Sequence, residues 1–362
     1  MSNSKVLTVS VAAYNVEKYI EECLTPFTKI QHGEKCEVLI INDGSTDRTP
    51  EIANEFVSKY PNIFKLINKE NGGYGSTVNT SIKLATGKYF KLLDGDDYFD
   101  EEYLDDFIEF LENTDADFIH STMALFHHET KEQALRHIVI KARTTFPIEQ
   151  FCSKYEYEPG MWCAATKTHI LRDNHIEITP KCMYTDTEYV WKAFVHSKTI
   201  SFYECIVYMH RNGHSSQSIS TEGFIKYYKD HILMLHKLIE LEHIIQDMSV
   251  LRIFYTDLRR LICYQYNRFA LLEPTIEHKT DFQEFERWLQ LEYAELYAKI
   301  YEYPKRIECL YKYGIRNYIS DENSPIKETT FQQEQTQPQK ITFKQRFNFL
   351  LNQYKERNKN KQ

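Results

Sequence analysis

The 362-residue sequence has little of several features that mark particular protein classes. It contains only 11 Gly and 10 Pro, too few for a collagen-like or low-complexity chain. Its eight cysteines are scattered without a CxxC pair, which argues against a disulfide framework and a zinc knuckle. There is no run of 18 apolar residues and no recognisable signal peptide. We therefore expect a cytoplasmic protein with reduced thiols.

Two common phosphate-binding motifs are also missing. No GxGxxG follows the first predicted strand, and GxxxxGK[ST] occurs nowhere. Dinucleotide-binding and P-loop interpretations therefore lack their phosphate-binding loops. The chain is instead rich in aromatic residues, with 26 Tyr and 22 Phe, as expected for a globular protein with a sizeable core.

The charge is unevenly distributed. The chain has a net charge of −8, but residues 340–362 carry seven Lys or Arg and one Glu, a net of +6. By subtraction, residues 1–339 carry about −14. An acidic body argues against nucleic acid as the main partner, and the basic end suggests a separate function for the tail.

The first hundred residues alternate between predicted strands and helices. Apolar runs predict strands at 6–13, 36–41, 64–67 and 89–93, and helical periodicity predicts helices at 16–27, from 49 onward, and at 76–85. Such an alternation implies a mainly parallel sheet flanked by helices, an α/β fold. Ligands of these sheets bind outside the carboxyl ends of the strands.

Polar residues follow each of the four predicted strands. In strand order they are Tyr14, then Asp43, then Asn71 and Gly72, and finally Asp94 and Asp96. Because the carboxyl ends of parallel strands meet at one edge, we expect these residues to converge in one crevice. A crevice with this lining predicts a nucleotide site.

The fourth strand leads into three carboxylates within four residues, Asp94, Asp96 and Asp97. In an extended segment Asp94 and Asp96 point to the same side, and Gly95 allows the backbone to approach a ligand. Mg²⁺ and Mn²⁺ prefer such oxygen ligands, together with substrate phosphates. The alternative is an ordinary turn after a strand, with Asp97 as a helix N-cap or a residue that supports the ligands.

Four motifs together resemble a known family. They are AAYN at 12–15, NDGSTD at 42–47, NGGYGSTVN at 71–79 and LDGDD at 93–97. In this order they resemble the nucleotide-binding half of the family 2 inverting glycosyltransferases of the bacterial cell-surface polysaccharide type. The resemblance covers about residues 5–220. It implies a GT-A fold and transfer of a sugar from a nucleotide-sugar donor, expected to be a UDP-sugar, to a hydroxyl of a glycan, lipid-linked or teichoic-acid-like acceptor.

The resemblance also implies roles for residues of the nucleotide site. Ala12, Tyr14 and Asp43 would hold the base and ribose, and a carboxylate at Asp43 suits the N–H of a uracil edge. Asn71 and Gly72 would line the nucleotide.

The reaction centre implied by the resemblance uses two further carboxylates. Asp94 would contact the ribose or sugar, and Asp96 would ligate Mn²⁺ or Mg²⁺ at the diphosphate. Family members commonly carry Glu-Asp where this chain has Thr185-Asp186. Asp186 matches the catalytic base, whereas the missing Glu puts acceptor contacts in question. Glu188 is a poor substitute because on a helix it points about 200° away.

The stretch 208–220 resembles the family segment that closes over the diphosphate. His210 and Arg211 are the candidates within it, because a positive or hydrogen-bonding group there offsets charge on the leaving nucleotide. The alternative is a polar surface loop.

We expect four regions along the chain. Residues 1–222 form the GT-A catalytic domain, 223–320 a helical C-terminal domain that is a candidate for a homo-oligomer interface, 321–339 a linker, and 340–362 a basic amphipathic tail. The apolar stripe of the tail consists of Phe343, Phe347, Leu350, Leu351 and Tyr354. Basic helices of this kind bind anionic membrane surfaces, here the inner face of the cell membrane. Docking on the acidic body, or disorder, is the alternative.

Two other functional classes remain open from the sequence. A non-catalytic nucleotide-sugar or glycan-binding module would keep the fold, and the missing Glu before Asp186 favours it. A nucleotidyltransferase would use paired Asp residues and a metal, but usually carries a Gly-rich, basic phosphate loop where this chain has AAYNVEKY.

Overall fold

A computed structural model gives the fold of the chain. It describes residues 5–127, 133–136, 141–212 and 220–300, together with 305, 307, 308 and 311. The chain forms two compact units, Met1–Ser215 and Ser216–Gln362. Most of the predicted loop 208–220, and all of the predicted linker 321–339 and tail 340–362, lie outside the described residues.

Ten strands and twelve α-helices form the described part of the chain. The strands are β1 Leu7–Ala13, β2 Cys36–Asn42, β3 Phe64–Asn68, β4 Tyr89–Asp94, β5 Tyr98–Phe99, β6 Phe118–His127, β7 Gln133–Arg136, β8 Phe146–Pro147, β9 Ala164–Lys167 and β10 Thr199–Asn212. The helices are α1 Ile20–Leu24, α2 Thr49–Lys59, α3 Tyr74–Leu84, α4 Glu101–Asn113, α5 Ile148–Lys154, α6 Thr168–Asp173, α7 Thr185–His196, α8 Thr221–Lys226, α9 Tyr228–Ile239, α10 Met248–Leu271, α11 Ile276–Glu292 and α12 Ala294–Ile300.

All ten strands join one mixed sheet in the first unit. The strand order is β3-β2-β1-β4-β9-β6-β10-β5, with β7 beside β6 and β8 beside β10. The four predicted strands are parallel to one another, as expected. The other half of the sheet is mixed, since β9 runs antiparallel to both β4 and β6 while β6 and β10 are parallel. The arrangement is the GT-A-like half that the sequence predicted, extended by antiparallel strands.

The central strands are mostly apolar and buried, as is typical of parallel strands covered by helices. Every residue of β2 is buried, and in β1 only Ala12 is partly exposed. Buried polar groups in this layer have partners: Thr8 Oγ1 donates to Glu37 Oε1 at 2.6 Å, and Ser10 Oγ donates to Ser81 Oγ at 2.7 Å. These side chains join β1 to β2 and to α3 inside the core.

The predicted helix 16–27 is shorter in the structure. It begins at Ile20, and Thr25–Thr28 form a 3-10 helix instead. Pro26 explains the change, because it has no N–H to continue the α-helical ladder. Strand β9 begins at Ala164 and follows a turn formed by residues 161–163. This turn is important for the site described below.

The second unit is helical, as predicted. Its longest helix, α10, is capped by Asp247, whose Oδ1 accepts from the N–H groups of Ser249 and Val250. An aromatic cluster fixes α10 against α11, with Phe269 in ring contact with Phe282 and Phe285. No helix among the described residues is long and apolar enough to cross a membrane.

One buried cation stands out in the middle of the sheet. Lys91 on β4 is completely buried, and its Nζ donates to the carbonyl oxygens of Trp162 at 2.7 Å and Ala164 at 3.2 Å. No carboxylate among the described residues pairs with it. Burial lowers the pKa of Lys91 to about 7. Lys91 therefore connects β4 to the turn before β9 at a cost in stability while it is protonated.

Replacing Lys91 by Met should make the free energy of unfolding less dependent on pH. The unfolded side chain titrates near about pH 10.4, so above neutrality the unfolded chain binds one proton more than the folded chain. The free energy of unfolding of the wild type should then rise with pH, by up to about 1.4 kcal/mol per unit. Denaturant titrations between about pH 7.5 and about pH 9 measure the slope, which should fall in Lys91→Met.

Lys83→Met is the matched control, because Lys83 is an exposed lysine on α3 of the same unit. It should retain the wild-type slope. Equal slopes for Lys91→Met and the wild type would show that Lys91 does not titrate in this range in the folded state.

Candidate active site

The carboxyl ends of β1 and β4 meet at the centre of the site. Ala12 is in register with Asp94, and its carbonyl oxygen accepts from the Gly95 N–H at 3.0 Å. A Cβ at Gly95 would lie 2.8 Å from this oxygen, closer than real Cβ contacts. Glycine is therefore needed here for the Asp-rich turn to approach β1.

Asp43 lies buried at the end of β2, where it holds the Gly-rich loop. Its Oδ1 accepts from Lys69 Nζ at 2.5 Å and from the Gly72 N–H at 2.9 Å, and its Oδ2 accepts from the Gly73 N–H at 2.8 Å. A carboxylate has about four acceptor positions, so one remains for a ligand. Asp43 thus positions the loop after β3 in addition to its predicted contact with a base.

Two predicted site residues near Asp43 lie at the surface and are more exposed than Asp43. Tyr14 is 52% exposed, and Asn71 is also exposed. Asp47 fixes the loops behind them, since its two oxygens accept from the N–H groups of Glu17 and Thr49. Asp47 therefore holds the chain at the entry to α2, whose N-cap residue is Arg48. Tyr14 and Asn71 are available to a ligand without rearrangement of the backbone.

The three carboxylates after β4 form one cluster. Asp94, Asp96 and Asp97 each offer an oxygen, and these oxygens lie within 4.8 Å of one another. Burial, with the charges of Asp96 and Asp186, raises the pKa of Asp94 to about 8. The Oδ1 atom of Asp94 is buried and has no hydrogen-bond partner among the described residues. Crowded carboxylates with an unsatisfied oxygen fit a divalent cation of the Mg²⁺ or Mn²⁺ type.

Asp97 is the anchored member of the cluster. It is buried; its Oδ2 accepts from the Tyr208 hydroxyl at 2.6 Å and its Oδ1 from the Arg211 N–H at 2.7 Å. Burial and the neighbouring carboxylates raise the pKa of Asp97. Tyr208 Oη also accepts from the Asp94 N–H at 3.2 Å. Asp97 therefore ties the Asp-rich turn to β10, whereas Asp96 remains half-buried and nearer to solvent.

Arg211 is placed differently from the sequence-based expectation. The side chain is 1% exposed; its Nε donates to the Asp96 carbonyl at 2.7 Å and its Nη2 contacts Glu22 at 2.5 Å. The guanidinium also lies over the rings of Tyr19 and Phe126. Enclosed in this way, Arg211 supports the backbone of the Asp cluster and is not presented to a substrate.

His210 lies on the other side of Asp97. Its Nδ1 is 3.8 Å from Asp97 Oδ2, and its ring makes an edge contact with the indole of Trp162, with centroids 5.1 Å apart. The half-buried imidazole lies on β10, next to the carboxylate cluster. It is the better placed of the two residues for a contact with a diphosphate.

Asp186 is near the same cluster, in the first turn of α7. Tyr184, two residues before Asp186, has a left-handed backbone with φ of 64°, which turns the chain sharply into the helix. Burial raises the pKa of Asp186, and its charge acts on Asp94. A carboxylate of raised pKa in a cleft is suited to accept a proton.

Glu188 has a structural function instead. Its oxygens accept from the Thr179 N–H at 3.1 Å, the Thr179 hydroxyl at 3.2 Å and Lys192 Nζ at 2.6 Å. The side chain is 1% exposed. It therefore holds the segment before α7 and does not replace the Glu that is missing before Asp186.

The Gly-rich loop also fixes the approach to α7. The Lys181 N–H donates to the Gly72 carbonyl at 2.8 Å, and Asn79 exchanges two hydrogen bonds of 2.8 Å with the backbone of Ile178. A Cβ at Gly75 would lie 2.2 Å from the Thr179 oxygen, so this contact requires glycine. One loop therefore positions both Asp43 and the segment that precedes Asp186.

Several residues of the site were not identified from the sequence. Tyr208, Lys69 and Tyr74 are the main ones: Tyr74 places its phenol near Asp94 and Asp186 and contacts Met161 Sδ at 3.2 Å. Tyr74 and Lys69 lie within or beside the NGGYGSTVN motif, which was the available signal. The role of Tyr208 could not be inferred from the sequence, because tyrosine is a common residue in strands.

The fold and the site together define a GT-A type protein. A sequence profile described as glycosyl transferase family 2 matches residues 8–178, the region that carries both Asp43 and the Asp cluster. This region of the first unit is therefore similar in sequence to family 2 glycosyltransferase domains.

Relatives with similar sequences are glycosyltransferases and a teichoic acid protein. EpsH of Bacillus subtilis (strain 168), named as a glycosyltransferase, is 39% identical over 97 residues, 27% of this chain and 28% of EpsH. GgaB of the same organism, named as a minor teichoic acid biosynthesis protein, is 33% identical over 106 residues, 29% of this chain and 12% of GgaB. The chain thus matches less than a third of the length of each.

Among solved structures, residues 1–349 of S. aureus TarS in complex with UDP-GlcNAc have a similar fold. The TM-score is 0.56 at 20% identity, and the match covers 85% of this chain and 92% of that one. At this identity the similarity concerns the fold, which it confirms as GT-A with a helical C-terminal region.

Replacement by alanine should affect stability at Asp97 and Mn²⁺ affinity at Asp96. Asp97→Ala leaves the buried Tyr208 hydroxyl and Arg211 N–H without their acceptor, so the free energy of unfolding should fall by about 1–3 kcal/mol. Asp96→Ala removes a half-buried carboxylate and relieves repulsion, so stability should be retained while Mn²⁺ affinity is lost. Denaturant titration and Mn²⁺ titration separate the two effects.

Asp115→Ala is the matched control, because the Asp115 side chain is 90% exposed in the same unit. It removes an ion pair with Lys167, which keeps Asp117 as a partner, so stability should change by less than about 1 kcal/mol and the Mn²⁺ affinity should not change. If Asp97→Ala were as stable as the wild type, the proposed anchoring of the Asp-rich turn would be refuted.

Proposed function

We propose that the protein is an inverting glycosyltransferase that moves a sugar from a nucleotide-sugar donor to an acceptor hydroxyl. The observation that carries the proposal is the position of Asp186. A half-buried carboxylate of raised pKa lies next to the Asp94–Asp96–Asp97 cluster, within the range of its charges. A base and a diphosphate site on one crevice are the two parts that a single displacement needs.

The donor in this proposal is a UDP-sugar. Asp43 at the end of β2, with its remaining acceptor position, suits the N–H of a uracil edge. Ala12, Tyr14, Asn71 and Gly72 line the same end of the sheet. The TarS structure of similar fold is a complex with UDP-GlcNAc, which makes this sugar nucleotide the first to be tested.

The diphosphate end of the donor is assigned to the carboxylate cluster. Asp96, with Asp94, would hold Mn²⁺ or Mg²⁺, which when bound would stabilise negative charge on the diphosphate by several kcal/mol. Asp97 keeps the turn in place through Tyr208 and Arg211, and His210 offers a hydrogen-bonding group beside the cluster.

Asp186 has the central part in the chemical step. It removes the proton of the acceptor hydroxyl as that oxygen attacks the anomeric carbon from the face opposite the diphosphate. The bond from the anomeric carbon to the phosphate oxygen breaks, and its electron pair leaves with the nucleotide. One displacement inverts the configuration and needs no covalent enzyme intermediate. Proton removal by a positioned base contributes about 10²–10⁴-fold.

The acceptor and the cellular location belong to the same proposal. A glycan, lipid-linked or teichoic-acid-like acceptor is supported by the GgaB relative, and cell-surface polysaccharide synthesis is the corresponding process. Cytoplasmic location is proposed, with peripheral binding to the inner face of the membrane through the basic tail 340–362. The helical unit is proposed as the site of homo-oligomer contacts.

Calorimetric titration of UDP, GDP and CDP, each with and without Mn²⁺, tests the donor site. The wild type should bind UDP most tightly and only weakly without Mn²⁺, because the metal offsets repulsion between the diphosphate and the cluster. Asp96→Ala should lose the Mn²⁺-dependent part, and Asp115→Ala should retain it. No binding of any nucleotide to the wild type would refute the proposed function.

Asp186→Asn tests the chemical step. The amide keeps the size of the side chain but cannot take a proton, so turnover should fall by about 10²–10⁴-fold while the affinity for UDP with Mn²⁺ is retained. Release of UDP from a panel of UDP-sugars and acceptors measures turnover. Asp173→Asn, at an exposed carboxylate on α6, is the control. Unchanged turnover in Asp186→Asn would remove this residue from the mechanism.

A further inference from the structure

Trp162 has a buried hydrogen-bond donor without a partner. Its indole Nε1 is buried and makes no hydrogen bond to any described residue. An indole N–H can only donate, and buried donors of this kind normally have an acceptor. An unsatisfied donor costs about as much as a lost hydrogen bond, so we expect its acceptor outside the described residues.

The turn that carries Trp162 is fixed from the sheet side. The Trp162 carbonyl accepts from Lys91 Nζ at 2.7 Å, and Lys91 is three residues before Asp94 on β4. The ring itself makes an edge contact with His210, whose Nδ1 is 3.8 Å from Asp97 Oδ2. Trp162 is therefore held next to the carboxylate cluster by both its backbone and its ring.

Met161, the residue before Trp162, connects the turn to the other carboxylates of the site. Met161 Sδ accepts from the Tyr74 hydroxyl at 3.2 Å, and the Tyr74 phenol is close to Asp94 and Asp186. The Asp94 Oδ1 atom in this pocket is also buried and belongs to the proposed cation site. The N–H donor of Trp162 beside this cluster is complementary to a saccharide phosphate, which presents acceptor oxygens.

We propose that the indole N–H of Trp162 donates a hydrogen bond to an oxygen of the sugar-phosphate half of the nucleotide-sugar donor. This inference rests on the proposed function and names a further residue for donor recognition. The acceptor oxygen belongs either to the sugar or to the phosphate attached to the sugar. UDP alone contains the phosphate oxygen but not the sugar oxygen, so the two possibilities can be distinguished.

Trp162→Phe is the test, because it keeps an aromatic ring and removes the N–H. Titrations with UDP and with UDP-GlcNAc, both with Mn²⁺, should show binding that is about fivefold to tenfold weaker, as expected for one lost hydrogen bond. Weakening with both ligands assigns the acceptor to the phosphate, and weakening with UDP-GlcNAc alone assigns it to the sugar. If UDP-GlcNAc does not bind the wild type more tightly than UDP, the titrations are made with another UDP-sugar that does bind more tightly than UDP.

Fluorescence gives a second readout that a purely structural role would not produce. The chain has three tryptophans, of which Trp191 is buried in the core and Trp288 lies in the helical unit. Donor binding should change the emission of the wild type, and Trp162→Phe should lose most of that change. Trp288→Phe, which removes an N–H that donates to Glu292, should bind and respond like the wild type.

The outcomes separate the two proposals. A wild type that binds no nucleotide refutes the proposed function and this inference with it. A wild type that binds, together with a Trp162→Phe variant that unfolds at the same temperature and binds both ligands equally well, refutes the role of Trp162 alone.

Discussion

The buried carboxylate of Asp97 is the interaction on which the site depends. It accepts from the hydroxyl of Tyr208 and from the backbone of Arg211, so it joins the turn after β4 to the long strand β10. Both donors come from β10 in the mixed half of the sheet, whereas Asp94 and Asp96 follow the parallel strands. The position of the cluster is thus set where the two halves meet, and Arg211 adds a bond to the Asp96 carbonyl.

This arrangement makes the site electrostatically costly without a ligand. Three carboxylates lie within 4.8 Å, and a fourth, Asp186, is close enough to act on Asp94. Like charges in a half-buried cleft raise one another's pKa values and destabilise the folded state. A bound cation would reverse this effect, so binding energy is available from the relief of repulsion. The pattern is common at functional sites, where local cost is balanced by the surrounding fold.

Much of the parallel half of the sheet could be predicted from the sequence, because the patterns that indicate its strands are local. An apolar run of six or seven residues followed by Asn-Asp-Gly or Asp-Gly-Asp predicts both a strand and the polar group at its end. The mixed half was harder to predict, since its pairing is set by contacts between distant residues such as Asp97 and Tyr208, 111 positions apart. Arg211 shows the same limit, because a sequence reveals its charge but not that Glu22 and Asp96 enclose it. The orphan donor of Trp162 depends on three-dimensional burial and has no sequence signal at all.

The loop after β3 couples the two ends of the crevice through single peptide groups. The Gly72 N–H donates to Asp43, and the Gly72 carbonyl accepts from Lys181, which precedes α7. In the proposed function, a change in this loop that altered nucleotide recognition would also move the segment that places Asp186. Nucleotide preference and placement of the proposed base would then change together, whereas residues that contact only the acceptor could diverge separately. A lineage with this scaffold is expected to diversify its acceptors more readily than its nucleotides.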